Sequence, residues 1–264
     1  PDVDDTAVVA MALDRTGSEK NKDALRRAAD WIVGMQSKNG GWGSFDADNT
    51  HYYLNHIPFA DHGALLDPPT ADVSARCLSF LAQAGYDREN SVISSGIDFL
   101  CEEQEEDGSW FGRWGTNYVY GTWSVLSALN VVGVPADDPA VQKAVAWLLE
   151  RQREDGGWGE DGATYWEEHR SLAKISTASQ TSWALLALMA AGETDSLAVR
   201  RGLQYLMDAP HENGKWTEKF YNAVGFPKVF YLLYHGYPAY FPLWALARYR
   251  RLRESNTPAT SWGM

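Results

Sequence analysis

Asp2-Val3-Asp4-Asp5-Thr6-Ala7 places three carboxylates within four positions at the head of an apolar, helix-like run from Ala7 to Leu13. Three anions that close cannot all ionise cheaply, so at least one should keep its proton to higher pH and be able to donate it near neutrality. An Asp cluster at a helix start also has an ordinary explanation: carboxylates satisfy the free N–H groups and the dipole of the first turn. The surrounding elements decide between the two.

Other groupings carry less chemistry. His51, His56 and His62 lie near Asp46, Asp48 and Asp61, but no pair has the spacing of metal ligands on a helix, so no metal site is expected. Gly40-Gly41-Trp42-Gly43 is followed by no Lys-Ser/Thr and is not a phosphate loop. Glu102 to Asp107 is an acidic stretch that reads as a solvated helix end.

At 264 residues, 45% of them hydrophobic, the chain can bury a large core. A net charge of -12 argues against a nucleic-acid partner and against a polybasic membrane patch, though not against a local apolar docking surface. Cys77 and Cys101 have no zinc or redox spacing and read as reduced core residues of a cytosolic protein. No segment approaches the roughly 20 apolar residues of a membrane-spanning helix. The sequence starts inside a helix-start motif, as a fragment of a longer protein would.

Twelve Trp residues are not scattered. Four segments share a pattern of small residue, aromatic, aliphatic, Gln and Gly-x-Trp. Trp31-Ile32 leads to Gln36 and Trp42, Phe99-Leu100 to Gln104 and Trp110, and Trp147-Leu148 to Gln152 and Trp158. Tyr205-Leu206 leads to Trp216, with Pro210 in place of the Gln. The four Trp lie 68, 48 and 58 positions apart, a spacing suited to helical-hairpin repeats with variable loops. Each Gly supplies a left-handed helix cap, from which the Trp can fold back onto the Gln.

The Gln-ending helices carry more charge and suit an outer layer. The helices between them, near 70–84, 121–132 and 177–191, are apolar nearly all round and suit an inner layer. Asp2 to Leu13 and Pro238 to Arg253 supply further inner helices. The fold class is therefore all-α: an α/α toroid of inner and outer helices, with about five pairs and so incomplete. Inner-to-outer connections are short and outer-to-inner ones long, which gathers the long loops at one end, where loops tend to carry function. The Asp cluster, Asp72 with Arg76, Trp110 with Trp114, and Phe226 all fall at that end. Phe226, Phe230, Tyr234 and Tyr237 follow i, i+4, i+8, i+11, the face of one helix, and by spacing alone would be core packing.

With these motifs in view the chain resembles the C-terminal half of a bacterial squalene–hopene cyclase, a class II triterpene cyclase. The repeats resemble that family's Gln-Trp motifs, and Asp2 to Ala7 matches its D-x-D-D-T-A acid motif. The match extends through 55–59, 108–115 and Gly225-Phe226-Pro227. The D-C-T-A-E motif of oxidosqualene cyclases is absent. Residues 1–264 would then form the C-terminal catalytic α/α barrel, with the N-terminal part of the enzyme outside this sequence.

The resemblance implies cyclisation of squalene, or a related polyprenoid, to hopene and hopanol by alkene protonation and a guided carbocation cascade, without metal or organic cofactor. It implies Asp4 as the central acid flanked by Asp2 and Asp5, with Asp72 and Arg76 in the segment that orients it; Arg76 stands where many members have His. Phe45 stands where some members have Tyr. The resemblance assigns cation stabilisation to Phe226, Phe230, Tyr234 and Tyr237, and places Trp110, Trp114 and Tyr120 along the cavity near the acid. It puts the substrate-channel constriction at Phe59, Ala60, Asp61 and His62. It further implies a monotopic enzyme on the cytoplasmic face of the bacterial cell membrane, and leaves a homodimer open. Two other classes share this scaffold: an (α/α) glycoside hydrolase or lyase, and a non-catalytic binding toroid. A hydrolase needs a second acid across an open groove, whereas these carboxylates cluster within one turn.

Overall fold

The repeat motif explains the architecture once its hydrogen bonds are followed. The computed structural model describes residues 2–59, 65–169, 175–209, 211–212 and 214–255. Nine α-helices occur among them: α1 (Val3–Asp14), α2 (Lys22–Gly34), α3 (Ala71–Gln83), α4 (Ser91–Glu102), α5 (Tyr118–Val131), α6 (Pro139–Arg151), α7 (Ala178–Ala190), α8 (Leu197–Asp208) and α9 (Tyr237–Ser255). The odd-numbered helices form the inner layer and pack in chain order, α1 on α3, then α5, α7 and α9. Every residue of α7 is buried, as are Tyr118 to Leu129 of α5 and Ala71 to Leu81 of α3. α2, α4, α6 and α8 bury one face each against this layer, as their mixed composition requires.

Each repeat Trp stitches the two layers together. Its indole Nε1 donates to a carbonyl ten residues back, near the end of the preceding outer helix: Trp42 to Ile32, Trp110 to Leu100, Trp158 to Leu148 and Trp216 to Leu206, at 2.6–2.9 Å. These bonds satisfy helix-end carbonyls that have no partner within the helix. The backbone N–H groups of Trp42, Trp110 and Trp158 donate to Ser74, Thr122 and Thr181 on inner helices. The Gln residues bond to backbone carbonyls. Gln36, Gln104 and Gln152 each donate to the following Gly carbonyl and to a carbonyl in the first turn of the next outer helix, Val92, Ala140 or Ala198, all at 2.8–2.9 Å. Gly40 and Gly156 are required twice over. Both have φ near 90°, and a Cβ would lie 2.2 Å from Ser95 O or 2.6 Å from Arg201 O.

Two short antiparallel pairs interrupt the helical pattern, between α8 and α9: β1 (His211–Glu212) with β2 (Lys215–Trp216), and β3 (Ala223–Phe226) with β4 (Phe230–Leu232). The second corrects the sequence reading. Phe226 and Phe230 sit on the two arms of a hairpin, not on one helical face, and only Tyr237 reaches α9. Pro227 has no N–H to donate, and Lys228 turns the chain at φ 69°, which a helix interior excludes. Cys101 also departs from expectation: it is exposed, while Cys77 is buried.

Candidate active site

α1 fixes the acid cluster through its own N-terminus. Asp2 is the N-cap, its carboxylate accepting from Asp5 N at 2.8 Å, and Val3 N donates to Ser44 O at 2.8 Å. This leaves Asp5 exposed and turns Asp4 inward, with its side chain only 20% exposed. Arg76, on α3, grips Asp4 as a two-pronged fork: Nε donates to Oδ1, and Nη2 donates to Oδ2 at 3.0 Å. Nη2 also donates to the Tyr120 hydroxyl, and Nη1 lies 3.3 Å from Asp72 O and 3.4 Å from Ser124 Oγ.

Two influences oppose each other at Asp4. Burial pushes its carboxyl above the ordinary 3.8, helped by the charges of Asp72 and Asp2, and the pull of Arg76 in the other direction does not offset it. Tyr120 is pushed well above 10 by burial, so its hydroxyl stays protonated. The arrangement is a carboxyl that holds a proton more tightly than usual, beside a fixed cation that would stabilise the anion once the proton leaves.

The Asp4–Arg76 pair lines a cavity of about 660 Å³ that α1 and α9 border, within the range of small-molecule sites. Asp4, Val8, Met11, Ala12 and Arg15 line one wall from α1, spaced as one helical face. Tyr237, Phe241 and Trp244 line the cavity from α9 at i, i+4 and i+7. Tyr120 and Trp123 come from α5, and Val224, Leu232 and Tyr234 from the second hairpin. The rings meet edge to face: Tyr237 with Phe241 at 5.0 Å, and Trp123 with Phe241 and Trp244 at 5.3 and 5.8 Å.

Of the residues singled out in the sequence, the structure brings Asp2, Asp4, Asp5, Arg76, Trp114, Tyr120, Tyr234 and Tyr237 to this cavity. Asp72 does not line it. Its Oδ2 accepts from Arg113 N and Trp114 N at 3.0 and 2.9 Å, so it anchors the loop that presents Trp114. Trp110 is fully buried as the repeat's stitch. Phe45 meets the edge of Trp114 from the outside, at 6.1 Å. Phe226 packs on Phe230 at 5.6 Å and, with Trp114, brackets the Arg113 guanidinium, at 5.4 and 4.2 Å; neither Phe lines the cavity. Phe59 is exposed, and Ala60, Asp61 and His62 lie outside the described residues.

Sequence reasoning missed Trp123, Phe241 and Trp244. Their signal was present: the aromatic stripe on a helix begins at Tyr237 and runs forward, not back. It also missed two carboxylates that hold the loop end together. Glu160 accepts from Asn117 N and Val119 N at the start of α5, and Glu218 accepts from Ser179 N and Oγ at the start of α7. Burial raises Glu218 above its ordinary value. No helix among the described residues is long and apolar enough to cross a membrane.

Comparison with known proteins follows the same lines. Residues 1–251 match the family model described as the squalene-hopene cyclase C-terminal domain. A squalene–hopene cyclase of Zymomonas mobilis is 57% identical over 270 residues, covering 100% of this chain and 41% of that protein. One from Schizosaccharomyces japonicus is 61% identical over 262 residues, covering 99% of this chain and 40% of that protein. This chain thus spans about two fifths of the length of these curated relatives. Among solved structures, ent-copalyl diphosphate synthase from Streptomyces platensis superposes with a TM-score of 0.62 at 23% identity, over 93% of this chain and 41% of that one, a likeness of fold. The chain belongs to the squalene–hopene cyclase family and corresponds to its C-terminal domain.

Proposed function

We propose that this chain is the acid-bearing, C-terminal catalytic domain of a longer enzyme that cyclises squalene, or a closely related polyprenoid, to pentacyclic hopanoids. The observation that carries this reading is Asp4: a carboxyl whose proton is held above the usual range, gripped by Arg76, on the lining of a cavity rich in aromatic residues. The Asp4 proton adds to a terminal alkene carbon, using that alkene's π electrons, and leaves a tertiary carbocation and an aspartate paired with Arg76. Each following ring closes when the next alkene donates its π electrons to the cation. The sequence ends when a proton is lost to a base, giving hopene, or when water adds and then loses a proton, giving hopanol. Tyr120, Trp123, Tyr237, Phe241 and Trp244 present ring faces and edges to this path; a face can contribute roughly 0.5–2 kcal/mol to a cation without trapping it covalently.

The names of the relatives support the substrate class, and the family match supports the assignment of residues 1–264 as a C-terminal domain. A peripheral site on the cytoplasmic face of the bacterial membrane fits a water-insoluble substrate. Tyr52, Tyr53 and Phe59, all more than half exposed, offer an apolar surface for such contact. The test is Asp4→Asn in the intact enzyme, which should abolish squalene conversion measured by gas chromatography. Retention of more than a few per cent of activity would remove Asp4 from the donor role.

A further inference from the structure

A polar seam runs between two of the inner helices. On α3, Asp72, Arg76, Ser79 and Gln83 follow at i, i+4, i+7 and i+11; on α5, Tyr120, Ser124 and Ser127 follow at i, i+4 and i+7. Two contacts fix the register of the seam: Arg76 Nη1 lies 3.4 Å from Ser124 Oγ, and Nη2 bonds the Tyr120 hydroxyl. α3 packs on α5, and Ser79 and Ser127 each follow three residues after Arg76 and Ser124, one further step along the same two helices. Ser79, Ser124 and Ser127 are each 0% exposed. Among the described residues the Ser79 and Ser127 hydroxyls have no hydrogen-bond partner, not even a carbonyl of their own helix. Buried hydroxyls are ordinarily satisfied, and where protein does not do it, bound water does. The guanidinium is held unevenly above them. Its Asp4 side is tightly bonded, while the two acceptors of Nη1 are at the long end of the range, 3.3 and 3.4 Å.

We infer that Ser79, Ser124 and Ser127 enclose a bound water beneath the Arg76 guanidinium, and that the three serines are thereby positioning residues for the Asp4 acid. The water accepts from the Nη1 side and exchanges hydrogen bonds with the serine hydroxyls, so the fork is supported from below as well as clamped from above. The titratable groups around Asp4 are Arg76, Asp72 and Cys77 from α3, Tyr120 from α5, Tyr237 from α9, the N-cap Asp2 and the neighbouring Asp5; of these only Arg76 is cationic. Loosening Arg76 therefore removes the one influence that eases proton release.

This inference rests on Asp4 being the acid, a reading the Asp4→Asn enzyme tests separately. The experiment is Ser79→Ala, Ser127→Ala and the double variant in the intact enzyme, followed by thermal unfolding and by the pH profile of squalene conversion. Activity needs protonated Asp4, so the rate falls on the alkaline side. With the water lost, that limb should move up by roughly half a pH unit, about threefold in the ionisation constant, and Tm should fall. If the hydroxyls are truly orphaned, each alanine removes a desolvation cost, and Tm should rise by roughly 2–4 °C with the pH profile unmoved; that result overturns the inference. A fall in Tm with an unmoved profile would leave a purely structural water and would also overturn the positioning role. The unfolding measurements keep their meaning even in an enzyme that does not act on squalene.

Discussion

Replacing Arg76 with Gln removes the cation and keeps a hydrogen-bonding side chain, so it isolates the charge. Arg76 Nη2 is 3.0 Å from Asp4 Oδ2, which puts the two charge centres about 4 Å apart. At an effective dielectric constant of about 20 that attraction is about 4 kcal/mol, or about three pH units at 1.36 kcal/mol per unit. Water entering the space left by the shorter side chain reduces this, and an upward shift of roughly 1–3 units is expected at Asp4. The direction matters more than the size. Asp4 already titrates above 3.8, so the variant moves further up and becomes a weaker acid with no cation for its conjugate base. The pH–rate profile of the intact enzyme should show its alkaline limb displaced upward while kcat at the optimum falls by roughly 10²–10³, the scale seen when a preorganised partner of a developing anion is removed. Folding stability shares the sign. With the folded pKa raised, the stability this site contributes is full below pH 3.8 and is lost as pH rises through the folded value; Arg76→Gln should move the upper edge of that window to higher pH and leave the lower edge in place. A limb that stays in place or moves to lower pH, in an enzyme with reduced kcat, would show that Arg76 does not act on the charge of Asp4.

Gln152→Ala removes two hydrogen bonds of 2.8 Å, one of them to the next outer helix. It should cost roughly 2 kcal/mol, lowering Tm by roughly 4–8 °C, with the product pattern unchanged by gas chromatography. A changed product pattern at unchanged Tm would contradict a structural role. Phe241→Leu keeps most of the volume of the α9 wall but removes its π face, so partly cyclised hydrocarbons should accumulate while substrate consumption falls less. Slower turnover to the parent product alone would make Phe241 a packing residue.

How much of this was legible beforehand depended on whether the information was local. The layers were readable because burial writes itself into composition: α7 is uncharged, apolar from Trp183 onward and buried all round, whereas α2, α4, α6 and α8 carry charge on one face. The acid cluster was readable because Asp2, Asp4 and Asp5 share one turn, and its partner Arg76 because a family motif covers it. The hairpin was not, since Phe226, Phe230, Tyr234 and Tyr237 have a spacing that a helix would also give, and only the turn chemistry of Pro227 and Lys228 decides otherwise. Nor was the role of Asp72, whose position in a helix says nothing about the loop 41 residues away that it anchors. Glu160 and Glu218 were invisible for the same reason: a carboxylate serving another helix's N-terminus leaves no periodic trace.

The three glutamine bonds have a positional consequence. Each links one outer helix to the next, α2 to α4, α4 to α6 and α6 to α8, and the fourth repeat carries Pro210, which has no side-chain donor, in place of the Gln. Repeats joined in series share the load between neighbours, because neighbour terms dominate their stability. Removing the Gln-bonded helix α4 or α6 would therefore break two such links, and removing α2 or α8 only one. The hairpin and α9, which bring Tyr237, Phe241 and Trp244 to the cavity, lie beyond this bonded row, and α9 is held by its packing on α7.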